Sequence, residues 1–183
     1  KATGTPAALD RVAIDVQGRT LVVHASQSAW GGYPGEDGGP VEISLGTHEL
    51  TAAWLNGAGS LAIDKVEALS FDLSVQGSGA LALEHADVDQ LRIAVSGTAG
   101  AMIGGRAGTM TAIVRGISSL DAAQLSTKDA TIGVEGPATV KADVTNSARI
   151  DGSGVATVTL TGNPACSGKL IGSASVSGCA SRH

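Results

Sequence analysis

Leu91-Arg92-Ile93-Ala94-Val95-Ser96-Gly97-Thr98-Ala99-Gly100-Ala101-Met102-Ile103 reads as a strand, a glycine corner and a second strand. Apolar or small residues stand two, four and six places before Gly97, and again four and six places after it. Alternation with period two is the strand signature, because successive side chains point to opposite faces. The frame recurs outward in both directions: Gly57, Gly77, Gly97, Gly116 and Gly136 are separated by 20, 20, 19 and 20 residues. Phe71, Leu73 and Val75 lead into Gly77, Met110, Ala112 and Val114 into Gly116, and Ala130, Ile132 and Val134 into Gly136. A unit of about twenty residues has too little apolar surface to fold alone, whereas stacked units share one continuous core.

The pattern predicts an all-β protein, a single-stranded parallel β-helix (β-solenoid) with rungs of about 20 residues. A β-sandwich also uses regularly spaced short strands, but it does not need a near-constant period with equivalent offsets. The organisation expected is one domain over residues 1–183. Residues 1–50 supply N-terminal strands and an irregular capping loop, and residues 51–179 supply the coils. Val12, Ile14 and Val16 before Gly18 fit the same register, close to two periods ahead of Gly57. Towards the other end the period reads as broken: the step from Gly136 to Gly152 is too short, and the step from Gly152 to Gly178 too long. Each unit is expected to end in a variable connection, and Asp121 to Asp129 is the one segment with a plausible helical turn. Trp54, on a strand-like segment before Gly57, reads as packing.

The chain has 183 residues, 43% of them hydrophobic and 16% charged, with four aromatics: Trp30, Tyr33, Trp54 and Phe71. That hydrophobicity excludes a disordered tail, and so low a charge content argues against coiled coils. A net charge of −5 argues against nucleic acid or an anionic membrane as partner. No run reaches the ~18 apolar residues of a membrane span. The two cysteines, Cys166 and Cys179, have twelve residues between them, which suits a local disulfide and an oxidising compartment.

The corners read Gln76-Gly77-Ser78-Gly79, Asp151-Gly152-Ser153-Gly154 and, degenerately, Ser96-Gly97-Thr98-Ala99-Gly100, and Gly162-Asn163-Pro164 precedes the cysteine pair. In these features the chain resembles the bacterial "putative autotransporter adhesin, head GIN" domain family, from about Arg11 to Cys179. The resemblance implies a right-handed β-helix and a periplasmic, outer-membrane-surface or secreted protein. It implies no catalytic residues.

The sequence spells out little chemistry. Glycoside hydrolysis needs two carboxyl groups ~5–9.5 Å apart, and the carboxylates here do not stack well. Asp87 and Asp89 fall in one connection, Asp72 faces outward, and Glu135 sits before a corner. Glu84, His85, Asp87 and Asp89 form the densest cluster, a cation or acid/base site or else a solvated connection. His24, His48, His85 and His183 show no zinc-ligand spacing, and neither a nucleophile elbow nor a phosphate loop is spelled. No catalytic residue, metal or cofactor is assigned. The remaining anomaly is the turn-rich stretch Trp30 to Gly39, in which Trp30 and Tyr33 are the candidate binding residues, able to stack on a sugar or anchor a protein, or to cap the solenoid end. The function expected is a non-enzymatic, adhesin-like or structural module of the bacterial envelope. Its partner would be a glycan or a cell-surface protein, and self-association through exposed ends stays open. The alternative is a polysaccharide-binding or polysaccharide-degrading protein.

Overall fold

The computed structural model describes residues 1–26 and 39–180. The chain divides into two units, Lys1–His48 and Glu49–His183. In the first unit, β1 (Ala2–Thr3) pairs antiparallel with β4 (Glu42–Ile43). Between them lies α1 (Pro6–Leu9), one turn started by Thr5, whose hydroxyl accepts from the Ala8 N–H at 3.2 Å. Then β2 (Val12–Gln17) and β3 (Thr20–Ala25) form a hairpin in which Ile14 faces Val23 and Val16 faces Leu21. Gly18 is therefore a hairpin turn, with φ +64°, and not a solenoid corner. A two-residue hairpin turn and a solenoid corner both demand positive φ next to alternating strands, which is why the spacing alone did not separate them.

The second unit is a parallel β-solenoid. Its strands are β5 (Ala52–Gly57), β6 (Ser60–Gly77), β7 (Ala80–Gly97), β8 (Gly100–Gly116), β9 (Ser119–Glu135), β10 (Thr139–Gly154), β11 (Thr157–Thr161), β12 (Ala165–Gly172) and β13 (Ser175–Ser177). Each rung stacks in parallel register on the next, Leu61 on Leu81 and Leu81 on Ala101. The strands run 16–18 residues through the bends, so the connections expected inside each unit do not exist as separate loops. Asp87 and Asp89 accordingly belong to β7, and Asp121 to Asp129 is strand within β9 rather than a helical turn. The rung-to-rung ladder supplies the backbone amides of such a segment with partners, and a helical turn would forfeit them.

The period does not break at the C-terminal end; it shortens. Thr139 stacks on Thr157, and Thr157 on Ser175, a smaller step along the chain than the one from Leu61 to Leu81. The corner equivalent to Gly77 is Gly154, not Gly152: Gly57, Gly77, Gly97, Gly116, Gly136, Gly154 and Gly172 all have positive φ between +79° and +104°. Gly152 lies earlier, beside Val134 at an inward position. The column is sterically obligatory at Gly97, where a Cβ would stand 2.4 Å from the Gly77 carbonyl oxygen.

Inward columns make the core. Phe71, Leu91, Met110, Ala130 and Ala148 form one, and Val75, Val95, Val114 and Val134 another, all within 5% of complete burial. The first column shrinks from Phe to Ala as the rung shortens, since a smaller perimeter encloses less volume. Its last member is Cys166, stacked on Ala148 and joined to Cys179 in a disulfide with Cα atoms 5.6 Å apart. The Ala180 N–H donates to the Pro164 carbonyl at 2.9 Å, and both cysteines pack against the core.

Candidate functional site

Strand alternation places every second side chain outward, and stacking puts residues one period apart side by side, ~4.8 Å from rung to rung. The outer surface is consequently written in pairs of opposite charge at the spacing of the repeat. Arg106 meets Asp87 at 2.9 Å, Arg115 meets Glu135 at 3.2 Å, Arg92 meets Asp72 at 3.6 Å and Lys141 meets Asp121 at 3.9 Å. All are half or more exposed, or close to it, so each contributes little to stability. Glu84, His85, Asp87 and Asp89 lie exposed along β7, with Asp87 held by Arg106. Among the described residues no three His, Cys, Asp or Glu side chains gather to hold a metal.

One outward column runs along the face between the second bend and the glycine corner: Trp54, Ser74, Ala94, Ile113, Gly133, Asp151 and Lys169. Trp54 is 57% exposed, because alternation turns its neighbours Ala53 and Leu55 inward, so it faces outward rather than serving as the packing residue its strand position suggested. Its column spans six rung steps, about 29 Å. Beside it run Asn56, Gln76, Ser96, Arg115, Glu135, Ser153 and Ile171.

At Gly133 the missing side chain opens a shallow depression of ≈ 350 Å³, bordered by Ile113, Arg115, Glu135, Asp151, Lys169 and Ile171. The Lys169 N–H donates to Asp151 Oδ1 at 3.2 Å, and Arg149 Nε holds the other carboxylate oxygen at 3.1 Å. The Lys169 ammonium makes no ion pair among the described residues. The depression combines aliphatic walls with fixed charges of both signs and belongs to a long, flat, polar strip that ends in an exposed tryptophan. Such a surface can recognise an extended polar partner.

Electrostatic shifts occur elsewhere. Ser147 and Asn146 donate to Asp129 Oδ1 at 2.5 and 2.7 Å, which holds this carboxyl below the usual carboxylate range and pins β10 to β9 where the ladder changes register. His24 is raised by its hydrogen bond to Asp15, 2.7 Å away on the opposite strand of the hairpin, and by the Ala25 carbonyl. Glu67 raises Lys65 through a hydrogen bond and charge.

Trp30 and Tyr33, singled out by the sequence, lie outside the described residues. The Trp54 strip was legible in principle: a tryptophan and a glycine, each flanked by inward apolar residues, mark outward positions. The ion pairs were legible too, as opposite charges one period apart.

Comparison with known proteins places the chain. A family model described as "Putative auto-transporter adhesin, head GIN domain" matches residues 1–164. The crystal structure of a "putative adhesin" from Bacteroides fragilis superposes with a TM-score of 0.79, over 92% of this chain and 76% of that one, at 15% identity. At that identity the likeness is one of fold. No curated protein matches the chain.

Proposed function

The chain belongs to the auto-transporter adhesin head GIN domain family, and from that premise we propose that it is an adhesin-like binding module acting outside the cytosol, in the periplasm, on the outer membrane surface or secreted. The disulfide supports an oxidising compartment. The solenoid acts as a rigid rod, and the strip from Trp54 to Lys169 is its contact surface. The observation carrying this reading is the exposed column of Trp54, small residues, the Gly133 depression and the Lys169 ammonium, which has no ion pair among the described residues, on one rigid face. An aromatic at one end and fixed charges at the other suit a glycan or an extended cell-surface protein, bound without chemical change. The comparisons contain nothing that favours a polysaccharide-degrading activity.

The test is a glycan and cell-envelope polysaccharide array together with adherence of protein-coated beads to bacterial cells. Wild type is compared with Trp54→Ala, Lys169→Ala and the double variant Trp30→Ala/Tyr33→Ala. Retention that falls at least tenfold in Trp54→Ala or Lys169→Ala, with unchanged thermal unfolding, supports the strip. Loss confined to the Trp30/Tyr33 variant moves the site to that stretch of sequence. Release of new reducing or unsaturated ends from any glycan would refute the non-enzymatic reading.

A further inference from the structure

Gly133 has no backbone reason to be a glycine. The corner glycines adopt positive φ, and a Cβ at Gly97 would strike the rung before it. Gly133 instead lies in extended β9, between Ile113 and Asp151, in ladders that run without interruption from Asp129 to Glu135. A Cβ there would meet nothing closer than the Ala112 carbonyl oxygen at 3.9 Å and Ile113 Cγ1 at 4.0 Å, both ordinary contacts. A glycine weakens a strand, and where it serves no bulge, bend or crowded backbone it marks the close approach of a ligand. The depression of ≈ 350 Å³ is the space that its missing side chain leaves.

The groups around that space define what fits it. Arg115 pairs with Glu135 and Arg149 with Asp151, so these charges cancel. Lys169, also on the border, makes no ion pair among the described residues, which leaves an excess positive charge here in a chain of net charge −5. Both Asp151 oxygens are held, one by the Lys169 N–H and one by Arg149, so a fixed acceptor stands beside that cation. Ile113 and Ile171, 43% and 55% exposed, supply aliphatic walls.

We infer that the depression binds an acidic polysaccharide, with a uronic-acid ring over Gly133 and its carboxylate on the Lys169 ammonium. The inference rests on the reading of the strip as the contact surface and names its ligand class. The C–H face of the ring lies on Gly133 and Ile113, its hydroxyls donate to Asp151 and Glu135, and the carboxylate answers the excess cation. An acidic peptide fits less well. The rung ladders already occupy the backbone groups of β8, β9 and β10 on this face, so a peptide's own amides would find no main-chain partners. A sugar chain needs none, because its donors are hydroxyls that side chains can meet.

The probes are oligomers of galacturonate, mannuronate and hyaluronate, each titrated against the full chain beside its carboxyl-reduced form, with polyglutamate as the acidic peptide. Saturable binding of an acidic oligomer is expected, at least tenfold tighter than that of its reduced form and weakened by added salt. Gly133→Val fills the depression with a side chain that suits an outward strand position. It is expected to keep or raise the unfolding temperature and to weaken binding at least tenfold. Lys169→Gln should bring the acidic oligomer down to the affinity of the reduced one, and it decides alone should Gly133→Val misfold. Equal binding of acidic and reduced forms, tighter binding of polyglutamate, or no binding of any acidic oligomer would overturn the inference. Glycan binding that Trp54→Ala abolishes but Gly133→Val and Lys169→Gln leave intact would overturn it too, while the strip itself stands.

Discussion

The two ends of the solenoid are finished in different ways. At the N-terminal end the rung is long, from Leu61 to Leu81, the core columns are filled by Phe71, Leu73 and Leu61, and β5 covers one side only. At the C-terminal end the rung has contracted, from Thr139 to Thr157, the columns have narrowed to Ala148 and Cys166, and a disulfide closes the last turn. The contrast teaches that stacked β-coils do not terminate themselves. Every end leaves a ladder of unpaired amides and a row of apolar side chains, and something must close or occupy them. One end here is closed covalently, and at the other, among the described strands, Ser60–Ile63 and Lys65–Ala68 of β6 pair with β7 alone.

Experiments that break or sharpen this contrast can be ranked by expected effect. Gly97→Ala, midway between the ends, should be the most damaging, because a Cβ at φ +94° and 2.4 Å from the Gly77 oxygen forces two rungs apart. A loss exceeding ~3 kcal/mol is expected, read as failure to fold or a large drop in urea midpoint. Next comes the pair Leu81→Ala and Leu61→Ala, one column and two degrees of closure. The buried Leu81 should cost about 2–5 kcal/mol, and Leu61 less than half as much. Equal costs would mean that the Leu61 edge is as well packed as the interior.

Reduction of Cys166–Cys179 should cost on the order of 3 kcal/mol in the chain-entropy account of a short loop. Amide exchange should accelerate first in β11 to β13 and leave β6 unchanged. Acceleration that starts in β6 would show that the disulfide is not a local closure. Thr127→Val should act in the other direction. The Thr127 hydroxyl is buried between Ala107 and Val144 with no hydrogen-bond partner among the described residues, and replacing it by a methyl group should raise stability by about 1 kcal/mol, read as a higher urea midpoint.

The smallest effect belongs to the hairpin. His24 is raised above 6.5 by Asp15, so the pair's contribution is complete below that pH and fades as pH rises through the elevated value. An NMR titration of His24 should show the upward shift, and Asp15→Asn should abolish most of it.

Much of this architecture can be read from residues alone, for identifiable reasons. The corners were legible at Gly57 to Gly136 because positive φ next to a stacked backbone leaves glycine as the only residue without strain. The inward columns were legible because period-two alternation survives wherever one face is buried. Reading failed where two glycines compete. Asp151-Gly152-Ser153-Gly154 looks like Gln76-Gly77-Ser78-Gly79, yet its second glycine is the corner and its first fills an inward slot beside Val134. It failed again at the bends around Asp64 and Leu69, where the chain turns without a special residue and the strand simply continues. The candidate site was less legible still, since the outward side of Trp54 is settled only once Ala53 and Leu55 are known to face the core.

The sequence by itself determined the rung length, the position of most corners, the small-residue core and the local disulfide, because each is a steric or hydrophobic demand felt within one period of chain. Only the tertiary structure decided which residues share a column across rungs, and with that the ion pairs one period apart, the depression at Gly133 and the partial cover of β6 by β5. Those features arise between segments a full period apart, and a small change in register anywhere along the stack reassigns them all.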